Sequence, residues 1–113
     1  MLSREELATL LKEAKTYLGI TWDDEATEGQ LMNYIKQSAA RLEAVYGHTL
    51  LFVEPVTDVD YLAKDLLLSR VFYSREKALD DFEGNYRGEL LYLRNKGKAK
   101  TLQDESEVSG DAS

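Results

Sequence analysis

The spacing of apolar residues restricts this chain to helices more strongly than any other feature of its sequence. In the first segment the apolar residues recur at helical spacing and fall on one face, namely Leu7, Leu10, Leu11, Ala14 and Leu18. The preceding Ser3-Arg4-Glu5-Glu6 fits a capping box, and Gly19 can adopt the left-handed conformation that often follows a helix. The pattern predicts a helix over residues 4–18.

Three further segments show the same periodicity, each after its own start signal. The second segment follows Thr27-Glu28-Gly29-Gln30, which is another capping-box match. Thr57 or Asp58 can cap the third segment, and Gly84-Asn85 breaks the chain before the fourth. The third segment has a wide apolar arc, which is typical of a helix that is central in a bundle or covered by partners. The predicted helices span residues 28–46, 58–82 and 86–95.

An apolar run from Leu50 to Val53 lies between the second and third segments, and Glu54-Pro55 closes it. Proline disfavours helix for the residue before it, so this run is either a loop packed on the core or a short strand. A single strand cannot form a sheet without a strand from another subunit. The sequence therefore predicts an all-α fold, a small bundle of four helices with an apolar loop over residues 48–56 and a disordered C-terminal tail.

The sequence predicts one domain, because 113 residues are enough for one hydrophobic core. Residues 1–96 form the predicted helical domain, and residues 97–113 form a flexible charged tail. Leu102 and Val108 are the large apolar residues of that tail, which is too few to bury a core. Its charges begin basic and become acidic, with Asp104, Glu105, Glu107 and Asp111 towards the end.

Composition excludes several classes of function. The chain has no cysteine, which excludes a disulfide scaffold, a thiolate nucleophile and a cysteine zinc site. Its net charge of −7 argues against a broad basic face that grips nucleic acid. The charged N-terminal segment does not fit a targeting signal, and no apolar stretch approaches the roughly 20 residues of a membrane span. We expect a soluble protein made in a cytoplasm.

No motif for catalysis is visible, so we predict that the protein is not an enzyme and uses no cofactor or metal. His48, the one histidine, lacks an evident serine or aspartate partner, and we expect it to be exposed or locally bonded. The acidic groups Asp23-Asp24-Glu25-Glu28 and Asp80-Asp81-Glu83 could in principle bind Mg²⁺. Helix-dipole complementarity explains the first better, and a solvated helix end explains the second.

The apolar content exceeds what one small bundle needs, and such an excess is typical of a partner or oligomer interface. A core that uses all of it is the simpler alternative. Trp22 is expected to be a buried loop anchor between the first two helices, with an interface hot spot as the alternative. The candidate interface residues are Leu50, Leu51, Phe52, Val53, Phe72, Tyr86, Leu90, Leu93 and Arg94.

Two stretches resemble a known family. They are L-x-I-T-W-D-D-E, ending at Glu25, and F-E-x-N-Y-R-x-E-L-L-x-L-R, from Phe82 to Arg94. Together with Leu62-Ala63-Lys64-Asp65-Leu66, they make residues 4–96 similar to the small head–tail connector proteins of tailed bacteriophages and prophages, also called adaptor or head-completion proteins.

The resemblance implies a structural subunit that assembles as a ring below the portal protein, with twelve copies expected in the virion. The ring would extend the channel for genomic double-stranded DNA and provide a platform for a stopper or tail-completion protein. A channel should not hold phosphates, so an acidic wall would let the duplex slide. Asp80, Asp81 and Glu83 are the candidate lining residues, with Asp23, Asp24 and Glu25 as the alternative. The expected location is the head–tail interface of the virion, after assembly in the host cytoplasm.

The alternative from another class is a small helical regulator that binds DNA or a protein partner. Its DNA-binding form would need a helix with clustered arginine and lysine. The sequence spreads its basic residues, and the cluster that it offers is Lys96, Lys98 and Lys100 at the start of the predicted tail.

Overall fold

A computed structural model describes residues 2–112 of the chain, with side chains over residues 2–106. Five helices make up this part: α1 (Arg4–Leu18), α2 (Glu25–Tyr46), α3 (Asp58–Arg75), α4 (Leu79–Asn85) and α5 (Arg87–Ala112). No strand is present within the described residues. The all-α prediction is therefore confirmed, whereas the predicted number of four helices is wrong.

Helix α1 has the predicted boundaries because both of its ends are set by local side chains. Ser3 Oγ accepts a hydrogen bond from the backbone N–H of Glu6, and the Glu6 carboxylate accepts one from the N–H of Ser3. Gly19 ends the helix in the left-handed conformation with φ of 74°. Because a side chain would be strained at that angle, this glycine is part of the stop signal.

Helix α2 begins at Glu25, three residues before its predicted start. Asp24 is the cap: its carboxylate accepts hydrogen bonds from the Thr27 hydroxyl at 2.6 Å and the Thr27 N–H at 3.0 Å. These two bonds hold the pKa of Asp24 below its usual value. The capping box predicted at Thr27 is wrong, since an aspartate upstream caps the helix instead.

The predicted helix over residues 58–82 is interrupted at residues 76–78 and becomes α3 and α4. Lys77 adopts a φ of 57°, the one positive φ of a residue other than glycine in the described chain. The turn lets Phe82 reach the core, where it is fully buried and stacks on Tyr86 at a ring distance of 5.0 Å. Tyr73 also belongs to this aromatic cluster, with its ring centroid 5.9 Å from that of Phe82.

Replacing Lys77 with glycine is expected to stabilise the protein. The left-handed region costs an ordinary residue about 1–2 kcal/mol, whereas glycine loses about 0.5–1 kcal/mol through the greater freedom of its unfolded chain. We expect the free energy of unfolding from urea titration to rise by about 0.5–1 kcal/mol. The same change at Lys36, exposed within α2, should lower it by about 1 kcal/mol. A destabilised Lys77→Gly would contradict the left-handed turn.

Helix α5 continues through Ala112, past the end predicted near Asn95, so the disordered tail predicted after residue 96 is corrected to helix. Ser113 lies outside the described residues. Beyond residue 96 the helix stays packed on the bundle, because Gly97 lies directly against the backbone carbonyl of Tyr46, at the end of α2. His48, just after the end of α2, also contacts α5. Its Nε2 lies 3.0 Å from the carbonyl oxygen of Gly97 and 2.9 Å from Oγ1 of Thr101, one helical turn after Gly97. These contacts tie α5 to α2 beyond the predicted boundary.

The segment between α2 and α3 is an irregular loop that packs on the bundle, as predicted from its apolar residues. Leu50 and Phe52 are buried in the same core as Leu42 and Leu66. The side chain of Asp60, in the first turn of α3, accepts hydrogen bonds from three loop N–H groups at 3.1–3.2 Å, those of Leu51, Val56 and Thr57. One carboxylate thus holds the end of the loop against α3. No helix in the described part is long and apolar enough to span a membrane.

Candidate interaction surfaces

Four of the predicted interface residues belong to the core of the chain itself. Leu50, Phe52, Leu90 and Leu93 are between 0% and 7% exposed. The loop turns its alternate residues inward, and α5 packs Leu90 and Leu93 against the bundle. Their apolar surface is already used, so they offer none to another subunit in this conformation.

The remaining predicted interface residues differ in their exposure. Leu51 and Phe72 are 46% and 40% exposed, and Arg94 is also exposed. Val53 and Tyr86 are partly buried and pack against the core. Leu51, Phe72 and Arg94 are therefore the members of the predicted set whose side chains are exposed.

Helix α3 carries an exposed apolar stripe, which we call the α3 stripe and define as Tyr61, Leu68 and Phe72. These residues are spaced at seven and four positions, so they share one face of the helix. Tyr61 is 58% exposed, and Leu68 is partly buried. Tyr17 of α1 extends the stripe, since its hydroxyl lies 3.4 Å from Ser69 Oγ. The wide apolar arc predicted for this helix thus has one side that is exposed in the described chain.

Trp22 does not have the buried position that the sequence suggested. Its side chain is 51% exposed in the connection between α1 and α2. Ile20, two residues earlier, is 6% exposed and anchors the connection instead. The prediction of a buried anchor is wrong, because the smaller residue fills the space between the helices.

The two acidic groups proposed from the sequence have different environments. Asp80 and Asp81 are exposed in the first turn of α4, where negative charge complements the helix dipole. Glu83 lies apart from them and forms an ion pair with Arg41 Nε at 3.0 Å. In the other group, Asp23 binds Lys15 Nζ at 2.8 Å, and this hydrogen bond lowers the pKa of Asp23 and raises that of Lys15.

A cleft between α2, α4 and α5 collects three arginines, and the sequence analysis missed it. We call it the arginine cleft; it has a volume of about 530 Å³ and is lined by Arg41, Ala44, Val45, Glu83, Arg87, Leu90, Leu91 and Arg94. Three arginines and one glutamate give it a net charge of +2. Glu83 pairs with Arg41, whereas within the described residues neither Arg87 nor Arg94 lies within 4.0 Å of a carboxylate oxygen.

The arginine cleft has a mixed chemistry because apolar side chains separate its charges. Leu91 is 54% exposed between Arg87 and Arg94, which are two helical turns apart on α5. The spacing of seven residues is visible in the sequence. The contribution of Arg41, however, depends on how α2 packs against α5, which no local pattern reveals. Such a surface suits an acidic segment that also presents an apolar side chain.

Arg70 adds a further cation beside this cleft. It lies on α3, and its Nη1 donates a hydrogen bond at 3.1 Å to the hydroxyl of the buried Ser38. Burial lowers its pKa, the negative charge of Glu83 acts to raise it, and the positive charge of Arg41 acts to lower it. The Glu83 carboxylate thus lies in the field of two guanidinium groups, and its ion pair is with Arg41.

A second depression lies between α1 and α2 and is mainly apolar. It has a volume of about 760 Å³, and Leu7, Leu11 and Met32 form its wall, with Arg4 and Lys36 at its rim. His48, which we expected to be exposed or locally bonded, instead joins the end of α2 to α5 as described above.

Among the described residues, no group of three or more histidine, aspartate or glutamate side chains could hold a metal ion.

Comparison with known proteins finds no relative of this chain. No family model, no curated protein and no solved structure matches it.

Proposed function

We propose that this chain is the subunit of a head–tail connector of a tailed phage or prophage. In this proposal it assembles as a ring below the portal protein, extends the channel for double-stranded DNA and provides a platform for the next stopper or tail-completion protein. The role is structural, with no catalytic residue and no cofactor. The site of action is the head–tail interface of the virion, and assembly takes place in the host cytoplasm.

The observation that carries the proposal is the apolar surface left exposed on separate elements. The α3 stripe is one such surface, and α5 exposes Leu91, Tyr92 and Leu102 along its length, with exposures between 48% and 66%. A ring needs a head-to-tail interface in which two different patches of the subunit meet. Two unlike apolar surfaces are consistent with that requirement, since apolar patches exposed on one chain can become buried between copies.

The shape and the charge of the subunit also support the proposal. The described chain extends over 59 × 31 × 18 Å, an elongated form with surfaces far apart. Asp80 and Asp81 are exposed and acidic, so they remain our candidates for a channel wall that repels phosphates. Glu83 is withdrawn from that set, because its charge is balanced by Arg41.

The proposal is tested by measuring the mass of the purified chain by light scattering over a range of concentrations, alone and with a portal protein. We expect the weight-average mass to rise above 12.8 kDa with concentration, and we expect the portal to promote assembly. A mass that stays at the monomer value in both experiments would overturn the proposal.

The arginine cleft favours one second candidate, a helical regulator that binds DNA or a protein partner. Three arginines on adjacent elements are the clustered basic residues that the sequence analysis did not find. Fluorescence anisotropy with a labelled duplex at several salt concentrations separates the two candidates. The connector predicts weak binding, whereas the DNA-binding regulator predicts tight binding that falls steeply with salt.

A further inference from the structure

The part of α5 just beyond Thr101 is an exposed segment with both apolar and acidic side chains. We call residues 102–106 the α5 tip; all five side chains are exposed, and Leu102 is 66% exposed. Asp104 and Glu105 carry its negative charge. Asp104 lies 3.8 Å from Lys100 of the same helix, a weak exposed pair that leaves it available to a stronger partner.

The α5 tip has the chemistry that the arginine cleft lacks. Arg87 and Arg94 are without a carboxylate partner in the described chain, and Leu91 is exposed between them. The tip presents two carboxylates next to a leucine. Arginine binds carboxylates through paired hydrogen bonds, and the contact of two leucines excludes water from them.

The tip cannot reach the cleft of its own subunit. Arg94 and Asp104 lie on one continuous helix, so ten residues separate them by about 15 Å along a rigid axis. Bringing them together would require breaking α5 near Gly97, where the helix is held against Tyr46. The partner that can supply such a tip is a second copy of this chain.

We propose that the arginine cleft of one copy binds the α5 tip of the next copy. The inference rests on the proposed function, since it names one pair of surfaces through which copies in the ring meet, beside the α3 stripe. Cleft and tip are different patches of one subunit, so the contact is head-to-tail and leaves one of each free for further copies. A series of such contacts closes into a ring when the rotation between copies permits it.

Charge reversal tests the pairing. In Arg87→Glu with Arg94→Glu both cleft and tip are acidic, and in Asp104→Lys with Glu105→Lys both are basic. We expect each double variant alone to lose self-association by about 100-fold or more, because like charges then meet. A mixture of the two should recover assembly, because the acidic cleft of one accepts the basic tip of the other. Sedimentation velocity of the full chains gives the masses.

A matched control separates this effect from the general change in charge. Lys12→Glu with Lys36→Glu changes the net charge as much as the cleft variant does, on exposed positions of α1 and α2. We expect it to assemble within about threefold of the parent chain, since surface charges away from an interface act weakly. Circular dichroism checks that every variant retains its helices.

The outcomes distinguish the docking from the ring. If the cleft variant assembles like the parent, or the mixture of variants stays dissociated, the docking is overturned while the connector proposal stands. If the parent chain itself remains a monomer with and without a portal protein, both are overturned. If the cleft variant loses binding to duplex DNA but assembles normally, the cleft is a nucleic-acid site and the docking is again overturned.

Discussion

Replacing Gly97 with alanine is expected to lower the free energy of unfolding by about 3 kcal/mol, the upper end of the usual cost of overpacking. A Cβ at this position would overlap the backbone carbonyl group of Tyr46. That group is the end of α2 and cannot rotate away as a side chain could. The helices must therefore separate, which also removes the contacts of His48 with Gly97 and Thr101. Urea unfolding followed by circular dichroism measures the loss.

Gly29→Ala is the matched control for this prediction. Gly29 lies within α2, and a Cβ there would meet nothing within 4 Å. Alanine is the better helix former, so this variant should gain about 0.5–1 kcal/mol. The same substitution thus has opposite signs at two helical glycines. If Gly97→Ala is also stabilising, the close approach of α5 to α2 does not exist.

Replacing Asp60 with asparagine is expected to lower the free energy of unfolding by about 2 kcal/mol at neutral pH. The carboxylate accepts hydrogen bonds from the N–H groups of Leu51, Val56 and Thr57, and one amide oxygen cannot replace two charged oxygens. Asp65→Asn, an exposed position on the same helix, is the control and should change the free energy by less than about 0.5 kcal/mol. Equal effects at the two positions would contradict the role of Asp60.

The cost of Asp60→Asn should also depend on pH. Burial acts to raise the pKa of Asp60, but the backbone hydrogen bonds from Leu51, Thr57 and Val56 outweigh it and hold the pKa below its usual value. The ionised form therefore stabilises the folded state fully above the pKa of the unfolded chain, near pH 4. The difference between parent and variant should shrink as the pH falls below about 4. A difference that grows in acid would contradict this account.

Local signals in the sequence were sufficient where one residue sets a boundary. The start and the end of α1 follow from Ser3 and Gly19, and both were predicted. The start of α2 was missed because Asp24 and Thr27 are both good caps, and only the structure shows that Asp24 accepts the bonds from Thr27. The break after Arg75 contains neither glycine nor proline, so no helix-breaking residue marks it in the sequence.

The interaction surfaces were less predictable, because exposure depends on packing between elements. Periodicity identifies Leu90 and Leu93 as apolar but does not reveal that α5 buries them against its own bundle. The arginine cleft combines residues from α2, α4 and α5, and residues 41 and 94 are distant in the sequence. The packing of α5 beyond residue 96 depends on the contact between Gly97 and Tyr46, and these two residues are also distant in the sequence.

Native mass spectrometry of the purified full chain tests the central claim, that this subunit forms a closed ring, most directly. The account predicts one dominant oligomer whose mass is a fixed whole multiple of 12.8 kDa, because a closed ring has no free end to extend. Assembly on a portal protein should give twelve copies, the number implied by the family resemblance. A spectrum that shows only the 12.8 kDa monomer both without and with a portal protein, or an open series of increasing masses, would contradict it.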